Sequence, residues 1–236
     1  VCATDLQSYA VTLAASQLEK DVPVDADKLY DAWQQSATTW LQGRIVVTET
    51  QCPASDSVRA WRSFVLRTRA SCAEASQEFE ITRAYGGYYF SEKQARSLDA
   101  FRVSLPDKHR YTALAALISA ASNCAAAPGH TAQPFGLSDS SLPHLRSAWR
   151  KDVKNTIQAN LSQFAQKIAL VPGKAYVSDA LSQTLQMSEG DLAFIDPPYS
   201  EVQYSRFYHV LESVARGVVG PVSGRGRYPP ISDRRS

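Results

Sequence analysis

The sequence predicts an α/β fold in which an open parallel β-sheet is interrupted by a long, mainly helical insertion. Two observations support this. Short apolar or strand-like stretches end in an aspartate at three places, Asp5, Asp179 and Asp196. Between the first two aspartates, residues 20–170 mostly show the apolar spacing of helices. Because parallel strands present their carboxyl ends at one edge of a sheet, we expect these carboxylates to border a ligand crevice.

The first unit is a strand followed by an acid and a helix. Residues 1–5 read as the end of a buried strand, and residues 6–18 carry apolar side chains at helical spacing. In α/β folds, an acid at the end of the second strand commonly binds the ribose hydroxyls of a nucleotide-like cofactor. Aspartate is also an ordinary helix N-cap, so Asp5 alone does not decide between the two roles.

The insertion contains helices whose limits the sequence indicates. We predict helices over residues 25–41, 55–75, 111–122 and 152–170, of which the third is rich in Ala and Leu and is expected to be buried on several sides. Ser91 with Gln94 three residues later is an N-cap pattern that predicts a helix through Arg102. A loop that contains His130 follows over residues 123–136.

Strand character returns after the insertion. Residues 174–178 lead to Asp179, residues 180–185 are helix-like, and the apolar run 192–195 leads to Asp196. We therefore predict strands over 174–178 and 191–196 that present carboxylates at the same sheet edge. A further helix is predicted from the apolar residues at 207, 210, 211 and 214.

The most informative stretch is Asp196-Pro197-Pro198-Tyr199. Proline fixes φ at about −65° and has no backbone N–H, so two prolines hold Asp196 and Tyr199 in a fixed geometry with free carbonyl acceptors. Hydrogen-bond acceptors at the edge of a planar amine, together with the Tyr199 ring on its face, would hold such an amine in place. Asp-Pro is also a common end to a strand, and this reading stays open. The aromatic and polar residues at 203–209 favour the functional one.

Composition and charge limit the class of protein. The 236 residues are 44% hydrophobic and 20% charged, which indicates a globular chain of one large or two small domains. No apolar run approaches the roughly 18–20 residues of a membrane helix, and no signal-peptide pattern is present. The four cysteines lack C-x-x-C spacing, so we expect reduced thiols, a cytoplasmic location and no metal site.

The formal net charge of +2 is small, but Lys and Arg concentrate in residues 146–174 and 216–235. Either run could contact phosphate, or form a solvated helix face or a loose tail.

In combination, these segments resemble the D12-class, Dam-like family of adenine-N6 DNA methyltransferases. The resemblance spans nearly the whole chain, in the family's order, and is carried by D-L-Q-S-Y-A at 5–10, G-G-Y-Y-F-S-E-K-Q-A at 86–95, P-F-G at 134–136, D-A at 179–180 and G-D-L-A-F-I-D-P-P-Y at 190–199. It implies a Rossmann-like sheet, incomplete in this sequence, that binds S-adenosylmethionine as methyl donor. The family's F-x-G-x-G loop is expected before Asp5, so we interpret the sequence as a fragment.

The resemblance also implies site residues. Asp5 would hold the ribose hydroxyls of the cofactor and Asp179 its adenine edge. The full cofactor set is Asp5, Leu6, Asp179, Ala180 and Asp196, and the catalytic set is Asp196, Pro197, Pro198 and Tyr199. In the catalytic step, the Asp196 carboxylate and the Pro197 carbonyl would accept hydrogen bonds from the two N6–H groups of an adenine flipped out of the duplex, with Tyr199 stacked on the base.

The partner implied is double-stranded DNA, with a restriction endonuclease of the same system as a further partner and no membrane. The candidate DNA-binding residues are Tyr204, Arg146, Arg150, Lys151, Lys154 and His130. We expect four segments: the start of the catalytic domain (1–20), a DNA-recognition insertion (21–171), the catalytic domain with the D-P-P-Y motif (172–215) and a truncated basic tail (216–236).

Three other functions remain open on the sequence. The same chemistry could act on cytosine N4 or on an RNA base, since the motif does not fix the acceptor. A methyltransferase fold without catalysis could serve as a DNA-binding or assembly subunit. A nucleotide-binding oxidoreductase is opposed by the lack of a G-x-G-x-x-G motif.

Overall fold

Two strands, β1 (Cys2–Asp5) and β2 (Lys174–Val177), pair in parallel in the computed structural model, which describes residues 1–44, 52–196 and 204–230. Cys2 lies opposite Lys174, and Asp5 lies opposite Val177. The strand predictions for residues 1–5 and 174–178 are therefore confirmed, as is the α/β class with a parallel sheet.

Helices make up most of the described chain. They are α1 (Ser8–Leu18), α2 (Ala26–Leu41), α3 (Val58–Ala73), α4 (Glu80–Tyr85), α5 (Glu92–Val103), α6 (Arg110–Cys124), α7 (Leu142–Trp149), α8 (Val153–Gln166), α9 (Ala180–Thr184) and α10 (Tyr204–Arg216). Helices α1–α8 all lie between β1 and β2 in sequence. No described helix is both long enough and apolar enough to cross a membrane.

The predicted strand over residues 191–196 is wrong for the described structure. These residues form no regular element, and Leu192 and Phe194 are 95% and 92% exposed. The Asp191 carboxylate accepts a hydrogen bond from the Ser188 N–H (2.8 Å) and closes a turn instead. A strand needs a neighbour for its backbone groups, and β1 and β2 pair only with each other in the described part of the chain.

Side-chain caps start several of the predicted helices. Asp25 accepts from the Lys28 N–H at the start of α2, and Asp152 accepts from the Asn155 N–H at the start of α8. At the start of α5, Ser91 and Gln94 form the full reciprocal capping box, which satisfies two backbone donors at once.

Helix α8 ends at Gln166, four residues before the predicted limit at 170. The ammonium group of Lys20 donates to the Ala165 carbonyl (3.1 Å), and the Ala169 N–H donates to the Lys20 carbonyl (3.0 Å). The end of the helix is thus bound to the segment after α1, and the chain leaves the helical path there.

The larger apolar core surrounds α6, which packs against α8, α1, α10 and α5. Ala113, Ala116, Leu117, Ala120 and Ala121 of this helix are all fully buried. Burial on several sides is therefore confirmed, since the small alanine side chains let neighbouring helices approach closely. A second core joins α3 to α7 through Trp61, Phe64, Val65, Leu145 and Trp149.

Helix α10 and the segment after it belong to the helical core. Val210 and Val214 of α10 are fully buried, and Val219 lies only 8% exposed just beyond the helix. Ser223 and Tyr228 form an antiparallel bridge, and the Arg227 side chain donates to the Ala84 carbonyl (2.7 Å). Residues of the described segment 217–230 thus contact the core, which argues against a loose tail, one of the alternatives left open for this basic run.

Candidate functional site

The parallel pairing brings the ends of β1 and β2 to one edge of the sheet. The Ser178 N–H donates to the Asp5 carbonyl (3.1 Å), and the Thr4 hydroxyl donates to the Ser178 carbonyl (3.1 Å). These bonds continue the ladder beyond β2 and place Asp5 and Asp179 at the same edge. The two segments that carry the predicted cofactor carboxylates are thus bonded to each other, although 174 residues separate Thr4 from Ser178 in sequence.

Asp5 is exposed, and its Oδ1 accepts a hydrogen bond from the Gln7 N–H (2.7 Å). This bond fixes the carboxylate over the turn that leads into α1, and no described residue hydrogen-bonds its second oxygen. Leu6, the other predicted contact in this turn, is half-buried.

Asp179 is exposed and caps α9. Its two oxygens accept from the Ser182 N–H (2.8 Å) and the Ser182 hydroxyl (2.6 Å). These hydrogen bonds lower the pKa of Asp179 below its ordinary value, because they favour the charged carboxylate. Ala180, which follows, is exposed.

Asp196 is exposed at the end of the apolar run 192–195. The remaining predicted catalytic residues, Pro197, Pro198 and Tyr199, lie outside the described residues. Tyr204 is the first residue of α10, so this helix begins shortly after the D-P-P-Y motif.

A cavity of about 100 Å³ lies between the turn after β1 and helix α10. Gln7, Ser205 and Glu212 contribute to its lining, and each carries a buried oxygen that has no hydrogen-bond partner among the described residues. Gln7 and Ser205 are each only 7% exposed. The second Glu212 oxygen accepts from the Tyr9 N–H (3.0 Å) in the first turn of α1. Unpaired buried acceptors are costly, so this cavity is suited to a polar group that donates hydrogen bonds.

The sequence interpretation missed this cavity. Glu212 is the one acid of α10 and lies among apolar residues that face the core. A single acid on an apolar helix face is the sequence signal that could have indicated a polar site here. Gln7 carries no such signal, because its role depends on a helix about 200 residues away in the chain.

Of the predicted DNA-binding residues, four lie on or between α7 and α8. Arg146 forms an ion pair with Asp56 and stacks over Trp61, with 5.6 Å from its Cζ to the ring centroid. The Lys151 ammonium donates to the Asn123 carbonyl. Arg150 is exposed, and Lys154 is partly buried. The charge of Arg146 is therefore neutralised within the protein, whereas Arg150 and Lys151 are both exposed.

His130 lies in a different loop from these four residues. Its ring meets Phe207 edge to face at 4.9 Å, and its Nδ1 accepts from the Ala132 N–H (3.2 Å). The loop is thereby attached to α10, which places His130 near the helix that follows the D-P-P-Y motif.

The described residues contain no group of three or more His, Cys, Asp or Glu side chains arranged to hold a metal ion. Cys2 and Cys52 are free and exposed, and Cys72 and Cys124 are free and buried. Burial raises the pKa of the Cys72 thiol to about 12, which keeps it protonated and unreactive.

Comparison with known proteins identifies relatives of this chain. The model of the D12 class N6 adenine-specific DNA methyltransferase family matches residues 59–224. Type II methyltransferase M.NlaIII of Neisseria lactamica is 28% identical over 138 residues, which cover 54% of this chain and 36% of that protein. Modification methylase LlaI of Lactococcus lactis subsp. lactis is 63% identical over 27 residues, 11% of this chain and 4% of that protein. No solved structure matches the chain significantly.

The chain therefore spans about a third of the length of M.NlaIII. The family match extends over more than half of the chain and includes Asp179, Asp196 and the whole D-P-P-Y motif. On this evidence the chain belongs to the D12 class N6 adenine-specific DNA methyltransferase family.

Proposed function

We propose that this chain is part of a site-specific DNA methyltransferase that transfers a methyl group from S-adenosylmethionine to the N6 amine of an adenine flipped out of the duplex. The observation that carries the proposal is the family match over residues 59–224, which contains Asp196-Pro197-Pro198-Tyr199 directly after an apolar run. The parallel β1–β2 pair supports a Rossmann-like methyltransferase sheet as the fold to which these residues belong.

The acceptor chemistry explains the choice of residues. The adenine amine is a poor nucleophile because its lone pair is delocalised into the ring. The Asp196 carboxylate and the Pro197 carbonyl would accept hydrogen bonds from the two N–H groups of the amine and favour a pyramidal nitrogen. Tyr199 would stack on the base. Pro198 keeps this geometry rigid. Because the amine becomes acidic only on methylation, Asp196 acts mainly by positioning and electrostatics.

The carboxyl edge of the sheet fits the cofactor. The exposed Asp5 carboxylate has an oxygen left for ribose hydroxyls, with Leu6 beside it, and Asp179 with Ala180 would contact the adenine edge. Asp196 would close the site from the D-P-P-Y side. When bound, S-adenosylmethionine supplies an activated methyl group on a sulfonium. The cavity at Gln7, Ser205 and Glu212 extends this polar surface from the turn after β1 to α10.

The rest of the chain would bind DNA. Residues 21–171 are proposed as the recognition insertion between catalytic segments 1–20 and 172–215, with residues 216–236 as a basic extension. Contacts with phosphate or base would come from Arg150, Lys154, His130 and Tyr204, with smaller roles for Arg146 and Lys151, which the protein itself engages. Base flipping costs a few kcal/mol, which stacking and edge contacts offset.

The names of the relatives suggest a restriction-modification context for this chain. A restriction endonuclease that recognises the same DNA sequence is then the expected partner, and the cytoplasm of a bacterial or phage-infected cell the expected location.

The test is substitution of Asp196 in the full-length protein. Asp196→Ala should lower methyl transfer to DNA by at least about 100-fold, because the acceptor of the amine proton is lost. Binding of S-adenosylhomocysteine, measured by calorimetry, should be largely retained. Asp191→Ala removes a carboxylate from the same exposed segment and should keep full activity. Normal methyl transfer by the Asp196→Ala protein would contradict the assignment.

A further inference from the structure

We propose that Arg69, Arg225 and Arg227 form a docking site for the phosphodiester groups of duplex DNA. These three residues are called the arginine cluster below. Arg69 lies on α3, and the other two lie in the segment after α10. The choice of DNA as the anion rests on the proposed function.

Two arginines of the cluster share one aromatic ring. The Cζ atoms of Arg69 and Arg227 lie over Tyr88 at 4.1 and 4.8 Å from the ring centroid. A guanidinium over an aromatic face gains roughly 0.5–2 kcal/mol, which compensates for partial loss of hydration. Tyr88 therefore holds two cations together that would otherwise repel each other.

Backbone carbonyls fix the orientation of both guanidiniums. Arg69 Nε donates to the Gly87 carbonyl (2.9 Å), and Arg227 Nε donates to the Ala84 carbonyl (2.7 Å). A guanidinium has five N–H donors. Arg227 also donates from Nη2 to the Arg83 carbonyl, at a longer distance of 3.4 Å. Arg69 uses only its Nε donor, so both of its terminal nitrogens remain for a ligand, and Arg227 keeps its Nη1, as phosphate recognition by arginine requires.

The charges of the cluster are not neutralised within the described part of the chain. None of its three arginines takes part in the ion pairs found there, which include Arg96 with Glu92 (2.9 Å) and Arg146 with Asp56. Burial lowers the pKa of Arg69 most, and the positive charges of Arg227 and Arg225 lower it further. Like charges held this close without an acid favour an anion as ligand.

The third member gives the cluster an accessible charge. Arg225 is exposed, and a Cβ at Gly136 would come within 2.9 Å of its Nη2, so the glycine leaves room for this side chain. The P-F-G loop at 134–136, the turn at Tyr88 and the segment after α10 thus meet at one surface. Phosphate contacts from such a surface would set the position of the duplex without reading its sequence.

The test measures binding of a non-specific 20-bp DNA duplex by fluorescence anisotropy over a series of salt concentrations. Loss of one phosphate contact lowers the slope of log K against log salt by about 1. Arg225→Gln and Arg69→Gln should each show this change, with binding several-fold weaker at low salt. Arg67→Gln is the matched control, because two residues along a helix is a rotation of about 200° and places Arg67 on the opposite side of α3.

Arg225→Gln is not expected to affect folding, because the Arg225 side chain is exposed and makes no hydrogen bond or ion pair in the described structure. The proposal is overturned if Arg225→Gln and Arg69→Gln keep the slope of Arg67→Gln, if the unsubstituted protein does not bind DNA, or if duplex RNA competes better than DNA. The readout needs no methyl transfer. A protein that shows the expected slopes but methylates no DNA would contradict the proposed function and leave the docking site standing.

Discussion

Asp99 is a buried carboxylate that organises the start of a neighbouring helix. It accepts from the Ile81 N–H (2.8 Å), the Thr82 N–H (2.9 Å) and the Thr82 hydroxyl (2.6 Å). The first turn of α4 thus obtains from α5 the acceptors that its own sequence does not provide, since Phe79 at its N-cap has no side-chain acceptor. Burial raises the pKa of Asp99 from 3.8 to about 7, against the three hydrogen bonds, which lower it.

This shift predicts a pH dependence of stability. Between about pH 4 and pH 7 the folded chain binds the Asp99 proton more tightly than the unfolded chain does, so the free energy of unfolding falls as the pH rises. The contribution is complete below about pH 4 and is lost as the pH passes the folded value of about 7. Asp99→Asn cannot titrate, so urea unfolding should show that the stability advantage of the unsubstituted protein over this variant shrinks by a few kcal/mol across that range.

Asp107→Asn, at an exposed position, is the control for this measurement and should track the unsubstituted protein at every pH. Parallel curves of unfolding free energy for the unsubstituted protein and Asp99→Asn would mean that the carboxyl does not titrate in this window.

At the scale of elements, local signals predicted the helices well. Ser91 caps α5 as predicted, and Asp25 and Asp152, which the sequence predicts as helix starts, are also caps, because a cap involves residues only two or three apart. The prediction of a strand over residues 191–196 was wrong because a strand, unlike a cap, depends on residues far away in the chain. Its apolar composition is suited to a buried strand, but a strand depends on a pairing partner, which composition does not reveal.

The turn between α4 and α5 depends on two glycines. Gly87 has φ +75°, and a Cβ there would come within 2.6 Å of Arg69 Cγ and 2.9 Å of the Arg69 backbone nitrogen. A Cβ at Gly86 would come within 2.5 Å of the Cys72 sulfur. The G-G pair of the sequence thus allows close packing of this turn on α3, which brings the Gly87 carbonyl to Arg69.

This packing predicts a large cost for Gly87→Ala. Gly129→Ala is the matched control, because Gly129 has φ +80° but a Cβ there would meet nothing within 4 Å. In the control, the free energy of unfolding should fall by only roughly 1–2 kcal/mol, the cost of placing a side chain on a left-handed backbone. In Gly87→Ala, the free energy of unfolding should fall by about 2 kcal/mol more, since the added methyl group would also clash with Arg69. Equal urea midpoints for the two variants would show that α3 does not constrain the turn.

At the scale of the whole molecule, the fold brings together residues that no local sequence pattern connects. Asp5 ends β1 and Asp179 follows β2 by two residues, so the parallel pairing puts both at one sheet edge, and their contacts with a cofactor stay a prediction. The contact of Arg69 and Arg227 with Tyr88 was not predictable, since it joins three segments far apart in the chain. The ion pair of Arg146 with Asp56 was likewise not predictable from the local basic run that contains Arg146.

The molecule thus combines a sheet edge that presents carboxylates with a helical body that presents arginines. The helix that follows the D-P-P-Y motif connects the two, because α10 packs against α1 next to the sheet and against α4 and α6 in the body.

We propose that the acceptor of the methyl group is the N6 amine of adenine in DNA. The most direct measurement incubates the full-length protein with duplex DNA and S-adenosylmethionine, digests the DNA to nucleosides and identifies the methylated product by mass spectrometry. We predict N6-methyldeoxyadenosine in the presence of the unsubstituted protein and none with Asp196→Ala. N4-methyldeoxycytidine as the product, or N6-methyldeoxyadenosine formed equally well by Asp196→Ala, would contradict the assignment of adenine N6 and of Asp196.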